Sequence, residues 1–160
     1  MVAAAAALVE KAARLSAGHW DGAAAALERA TVLRTDSFEL IEADSQAYLG
    51  FVEAVRAAKG LEGPTRDEAV GKAHARTIDV PLEMIRAAAE VSELAALLAE
   101  RGNPNLRADA VVAAILAAAA AESGLTLITV NVHDTADVRL QEAKKLAGQA
   151  RKRADSLRAS

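Results

Sequence analysis

Residues 101–121 read R-G-N-P-N-L-R-A-D-A-V-V-A-A-I-L-A-A-A-A-A, a polar turn that runs directly into an apolar stretch. From about Pro104 to Ala121 the side chains are almost all Ala, Val, Ile and Leu, the pattern of a helix buried on every side. The turn before it is a stop-and-restart signal. Gly102 supplies a left-handed helix end, Asn103 caps the next helix, and Pro104 fits its first turn, where a missing N–H costs nothing. Asp109 compensates the new helix dipole. Further polar groups remain, so function on an all-helical scaffold is expected to concentrate at this turn.

Working outward, helical signals cover most of the chain. A first helix is predicted over Val2 to Ala17, ending at Gly18, with Asp21 as the N-cap of the next. Only Gly22 and Gly50 interrupt the following stretch, so one helix of nearly forty residues runs to Lys59 and closes at Gly60-Leu-Glu-Gly-Pro64. Thr65 and Glu68 form a capping box for a third helix that continues to Arg101. Pro81 within it predicts a kink or break near Val80, with Asp79 capping a restarted segment. Leu125 to Val132 is β-favouring but has no partner strand. It is expected to be an irregular connector, or a helix overriding its propensity, before a fifth helix from Thr135 or Ala136.

The 160 residues suit one domain, 1–160, with a sizeable core. Alanine dominates the apolar residues and aromatics are 2% of the chain. Thin helices bury little area each, which favours long elements and oligomerisation. The absence of cysteine excludes thiolate chemistry and fits a reducing compartment, so a cytoplasmic location is expected. No uninterrupted apolar run approaches the ~18 residues of a membrane span, and Glu10 and Lys11 break the Ala-rich start, so no membrane role is expected. A net charge of −3 offers no global basic field for nucleic acid. Arg139 to Ser160 nevertheless carries seven Lys or Arg against Glu142 and Asp155, which reads either as a solvated helix face or as a dock for an anionic substrate tail.

Two acids stand out. Asp44 has Leu40, Ile41, Ala47, Tyr48 and Phe51 as its helical neighbours, and Asp109 has Leu106, Val112, Ala113 and Leu116. A carboxylate on an apolar face is paired, protonated or kept for function, and two such groups suggest a shared polar pocket in which acid and base roles divide. His74 shares a face with Val70 and Ile78, as an interior histidine or a proton shuttle. His19 and His133 show no ligand spacing, so no metal site is expected. Glycine-rich phosphate loops and a nucleophile elbow are absent, and an aromatic platform for single-stranded nucleic acid is lacking.

Three segments in register, I-E-A-D-S-Q-A-Y at 41–48, V-P-L-E-M at 80–84 and G-N-P-N-x-x-x-D at 102–109, resemble the formiminotransferase-cyclodeaminase and methenyltetrahydrofolate cyclohydrolase family. The similarity runs from about Ala3 to Val132 and includes N-V at 131–132. It implies an all-α subunit of five helices, intertwined with a second copy as a homodimer, with active sites near the interface. It also implies a tetrahydrofolate derivative as substrate. The reaction is either cyclodeamination of 5-formiminotetrahydrofolate or hydrolysis of 5,10-methenyltetrahydrofolate. Under this resemblance Asp44 and Asp109 are the catalytic candidates. Asn103, Asn105 and Tyr48 would contact substrate, and Arg101, Arg107 or the basic C-terminal helix would meet the glutamate tail.

Three features differ from the family pattern. Met1 falls inside the first helix, so a leading G-G-G-S turn is missing and the domain is expected to be N-terminally shortened. Ala108 replaces a serine, and G-H-W at 18–20 replaces a lysine-containing segment. The alternative is therefore a catalytically lapsed member, a non-enzymatic helical dimer.

Overall fold

A computed structural model describes residues 1–60 and 62–159. Leu61, in the predicted closing turn, and Ser160, the last residue of the basic tail, lie outside the described residues. Five helices follow in order: α1 Val2–Arg14, α2 Ala23–Ala57, α3 Pro64–Arg101, α4 Arg107–Asn131 and α5 Val138–Ala159, with a short 3-10 turn at Pro104–Leu106. Among the described residues there is no strand.

The core follows from the apolar periodicity. Val2, Ala5, Ala6, Val9, Ala12 and Ala13 form the buried stripe of α1, and Leu140, Ala143, Ala147, Ala150, Ala154 and Leu157 form that of α5. α4 buries Ala110, Ala113, Ala114, Ala117, Ala121 and Gly124, so its backbone lies close to its neighbours. α3 and α4 cross closely at Gly124, where a Cβ would stand 2.7 Å from Ile85 Cγ1 and 3.3 Å from the Pro81 carbonyl oxygen.

The long helices are asymmetric. Every buried residue of α2 lies at or before Ser37, and every buried residue of α3 lies at or after Thr77. The stretches 38–57 and 64–76 therefore form a two-helix arm without a core of its own. It exposes Phe38, Ile41, Tyr48, Leu49 and Val55.

Several predicted local details are corrected. Gly102 is extended (φ −78°, ψ −169°), and its lack of a side chain serves close approach instead: a Cβ there would meet Leu98 O at 2.5 Å and Ser16 Oγ at 2.8 Å. Gly22, not Asp21, occupies the N-cap of α2, and α3 starts at Pro64 behind Gly63, so Thr65 and Glu68 form no capping box. Pro81 does not break α3 and Asp79 caps nothing. The carbonyl of Thr77, left without its usual donor by the proline ring, accepts from Asn131 Nδ2 at 3.4 Å. Leu125 to Asn131 continues α4, because packing of Gly124 and Ile128 outweighs β propensity. Nor is α4 buried all round: Val112, Ile115, Leu127 and Val130 are exposed along one side. With the preceding turn, Pro104–Asn131 has a window of mean hydropathy 2.0, long and apolar enough to cross a membrane, though 44% of that window is buried in the bundle as in a core helix. The expectation that no segment reaches membrane length is corrected accordingly.

Ion pairs tie the helices at their rims. Arg34 donates to Glu10 at 2.6 Å, Arg29 pairs with Glu90, and Arg86 grips Glu142 with two bonds of 2.8 Å. In the basic tail, Arg139, Arg151 and Arg153 reach Asp79, Glu122 and Glu93. Exposed pairs of this kind contribute little individually. The start of α5 is the exception in geometry: Arg139 donates to both Asp137 and Asp79, and its side chain and backbone N–H hold the Asp137 carboxyl down to about 2. A lowered carboxylate favours the folded state above its unfolded pKa of about 4, and this contribution disappears as pH falls through about 2. Acid titration followed by circular dichroism is expected to show helix loss developing between those values and less of it in Asp137→Asn. An identical acid profile in that variant would contradict the assignment.

Candidate functional site

The polar turn at residues 101–109 sits at one end of the bundle, against the end of α1. Ser16 Oγ donates to Ala12 O at 2.7 Å and accepts from Asn103 N at 2.9 Å. Asn103 Nδ2 donates to Leu15 O at 3.1 Å, while its Oδ1 accepts from Asn105 N at 3.0 Å as the predicted cap of the 3-10 turn. Both halves of the Asn103 amide are thus engaged in joining the α3–α4 turn to α1. The Asn105 and Arg101 side chains are exposed, and Arg107 Nη2 donates to Leu157 O at 3.4 Å. Asp109 is ion-paired with Lys11 at 2.9 Å, its side chain 26% exposed. Beside this pair Glu10, Lys11, Arg14 and Leu15 border an open cavity of about 300 Å³.

Asp44 and Tyr48 lie elsewhere, on the arm. Asp44 is half-buried and, among the described residues, has no hydrogen-bond or ion-pair partner; Tyr48 is 65% exposed. The two candidate acids are far apart within one chain. Asp109 and Gly124 are about 22 Å apart along α4 at 1.5 Å per residue. Gly124 and Leu127 share a cavity wall with Ser37, Leu40 and Ile41, and Asp44 lies a further turn out along α2. A pocket shared by both acids inside one subunit is therefore corrected.

The other two resembling segments meet where the arm leaves the bundle. Pro81 lies at the α3–α4 crossing, and Asn131 bonds both Thr77 O, at 3.4 Å, and Leu127 O, at 3.0 Å. Their positions shape the junction from which the arm departs. At this junction the Phe51 and His74 rings are 5.5 Å apart and tilted, and His74 and His133 are 5.9 Å apart with planes within 9°. These three rings, with Arg66 and Asp67, border a cavity of about 350 Å³. The sequence reading treated His74 and His133 separately, because nothing local links two residues on different elements. A larger cavity of about 470 Å³ between α2 and α3 is rimmed by Arg29, Glu90 and Arg86, whose charges are already matched. No cluster of three or more metal-ligating side chains occurs among the described residues.

The family model described as formiminotransferase-cyclodeaminase matches residues 1–150. Methenyltetrahydrofolate cyclohydrolase of Methylorubrum extorquens is 33% identical over 135 residues, an alignment covering 78% of this chain and 63% of that protein, so this chain spans under two thirds of its relative. The crystal structure of formiminotetrahydrofolate cyclodeaminase from Thermotoga maritima superposes with a TM-score of 0.78, covering 98% of this chain and 82% of that one at 23% identity, which shows a common fold. With the helices in the same arrangement and the family model matching nearly from end to end, the chain belongs to the formiminotransferase-cyclodeaminase family.

Proposed function

We propose that the chain hydrolyses 5,10-methenyltetrahydrofolate to 10-formyltetrahydrofolate at a site completed by two copies of the subunit. The observation that carries this reading is Asp44, a half-buried carboxylate without a hydrogen-bond or ion-pair partner among the described residues, on an arm that has no core and exposes an apolar face. Such an arm calls for cover, and a second copy is the occupant that family membership favours. The exposed side of α4, from Val112 and Ile115 to Leu127 and Val130, is the complementary surface. Two α4 helices crossing antiparallel near Ala119 would bring Asp109 of each copy beside Val130 of the other. That is the end of the bundle from which the arm bearing Asp44 projects.

The reaction suits these groups. Water adds to the cationic methenyl carbon, and Asp44 accepts its proton as the tetrahedral adduct forms. As the adduct's hydroxyl becomes the formyl carbonyl, the carbon–N5 bond breaks, N5 takes the proton held by Asp44, the hydroxyl proton passes to solvent, and the formyl group remains on N10, with one proton released overall. Carboxylates oppose the substrate's positive charge in the ground state, so their contribution lies in proton transfer and placement rather than in uniform binding. The relative at 33% identity is named a cyclohydrolase, which favours hydrolysis over cyclodeamination. The reading includes a homodimer, a cytoplasmic location, no metal and no nucleic-acid or membrane partner. Purified protein is expected to accelerate loss of the methenyltetrahydrofolate chromophore in proportion to its concentration. Release of ammonia from 5-formiminotetrahydrofolate without any effect on that loss would replace hydrolysis by cyclodeamination. No acceleration with either substrate would leave the lapsed, non-enzymatic dimer.

A further inference from the structure

In a chain with 2% aromatic residues, the convergence of Phe51, His74 and His133 from α2, α3 and the α4–α5 connector concentrates flat ring surface at one place. We propose that the cavity they border receives the pteridine ring of the folate substrate, an inference that rests on the folate reading above. The volume of about 350 Å³ accommodates a fused two-ring heterocycle. The imidazole rings of His74 and His133 and the Phe51 ring offer faces for stacking against a flat heterocycle.

Polar groups at the cavity match the same ligand. The 2-amino-4-oxopyrimidine edge of a pterin presents two N–H donors side by side and a carbonyl oxygen next to them. Asp67 supplies a carboxylate whose two oxygens meet paired donors, as in carboxylate–guanidinium recognition, and Arg66 supplies a donor for the carbonyl. Placement adds a third argument. Phe51 and Asp44 are seven residues apart, so they lie on one face of α2 about 10 Å from each other. With the pyrimidine edge at Asp67 and the rings against Phe51, the carbon bridging N5 and N10 extends toward Asp44 and Tyr48. At the end of the bundle bearing Asn103, the amide of that residue is already engaged.

The test uses full-length protein and unsubstituted pterin as a fluorescent probe, alongside methenyltetrahydrofolate turnover. Wild type is expected to quench pterin saturably. His133→Ala and Asp67→Asn should weaken binding about tenfold or more, and His133→Phe, which keeps a ring, should stay within about threefold of wild type. Both positions are at the surface, His133 in the connector, so melting curves serve as the check that each variant is folded. In turnover, the same two weakened variants should raise KM more than they lower kcat. Pterin binding that needs His133 and Asp67 in a protein without folate turnover would support the site and overturn the proposed reaction. Turnover with KM and pterin affinity unchanged in both variants would keep the reaction and overturn this site, as would the absence of saturable pterin quenching by an active wild type.

Discussion

Asp44→Asn is expected to lower methenyltetrahydrofolate turnover by about 100-fold or more, the scale at which a positioned general base contributes, while leaving melting temperature and helix content unchanged. The separation of the two readouts follows from the surroundings of Asp44. It makes no hydrogen bond or ion pair among the described residues, so the amide has no structural partner to lose, and the exchange keeps shape and volume. A carboxylate retained in an apolar neighbourhood without structural work fits a catalytic role better than a structural one. The comparison with Asp109→Asn is informative, because that change also removes the Lys11 ion pair. The pair is partly exposed and weak, so a modest stability loss is expected there on top of lost activity. Turnover within threefold of wild type in Asp44→Asn would remove Asp44 from the chemistry.

Gly124→Val is the substitution with the largest expected effect on stability, about 3 kcal/mol of destabilisation and roughly 10 °C in melting temperature. On an exposed helix a glycine replacement would help, since glycine is the poorer helix former by about 1 kcal/mol relative to alanine. Here the sign reverses. A Cβ at Gly124 meets Ile85 Cγ1 at 2.7 Å and the Pro81 carbonyl oxygen at 3.3 Å, and Ile85 is fully buried. The backbone oxygen can retreat only by separating α3 from α4, the most extensively packed helix pair of the bundle. Calorimetry on Gly124→Val and on the double variant Gly124→Val/Ile85→Ala checks the mechanism. Partial recovery in the double variant is expected, and a single variant as stable as wild type would refute the close crossing.

The sequence disclosed the helical architecture because apolar spacing in α1, α4 and α5 reflects burial directly. Asn103 capped as predicted, for its side chain acts on a backbone N–H only two residues away. Gly102 and Pro81 were misread for a common reason. Each was assigned a local role, a left-handed turn or a helix break, whereas its role is set by another element: Ser16 on one side, Asn131 and Gly124 on the other. The apparent all-round burial of α4 had a similar origin, since composition does not distinguish a face that meets its own bundle from one left exposed. Asp44 and Asp109 were found by their apolar neighbours, but the separation of two residues on different helices is not written in local periodicity. His74 and His133 became a pair only through the fold.

The proposal that two copies share each site has one direct test. Asp44→Asn and Asp109→Asn subunits, each inactive alone, are mixed, unfolded and refolded together. If each site takes Asp44 from one copy and Asp109 from the other, half of the dimers carry one intact site out of two, and turnover recovers to about one quarter of wild type. A refolded mixture as inactive as either parent would contradict the composite site and return both acids to a single chain.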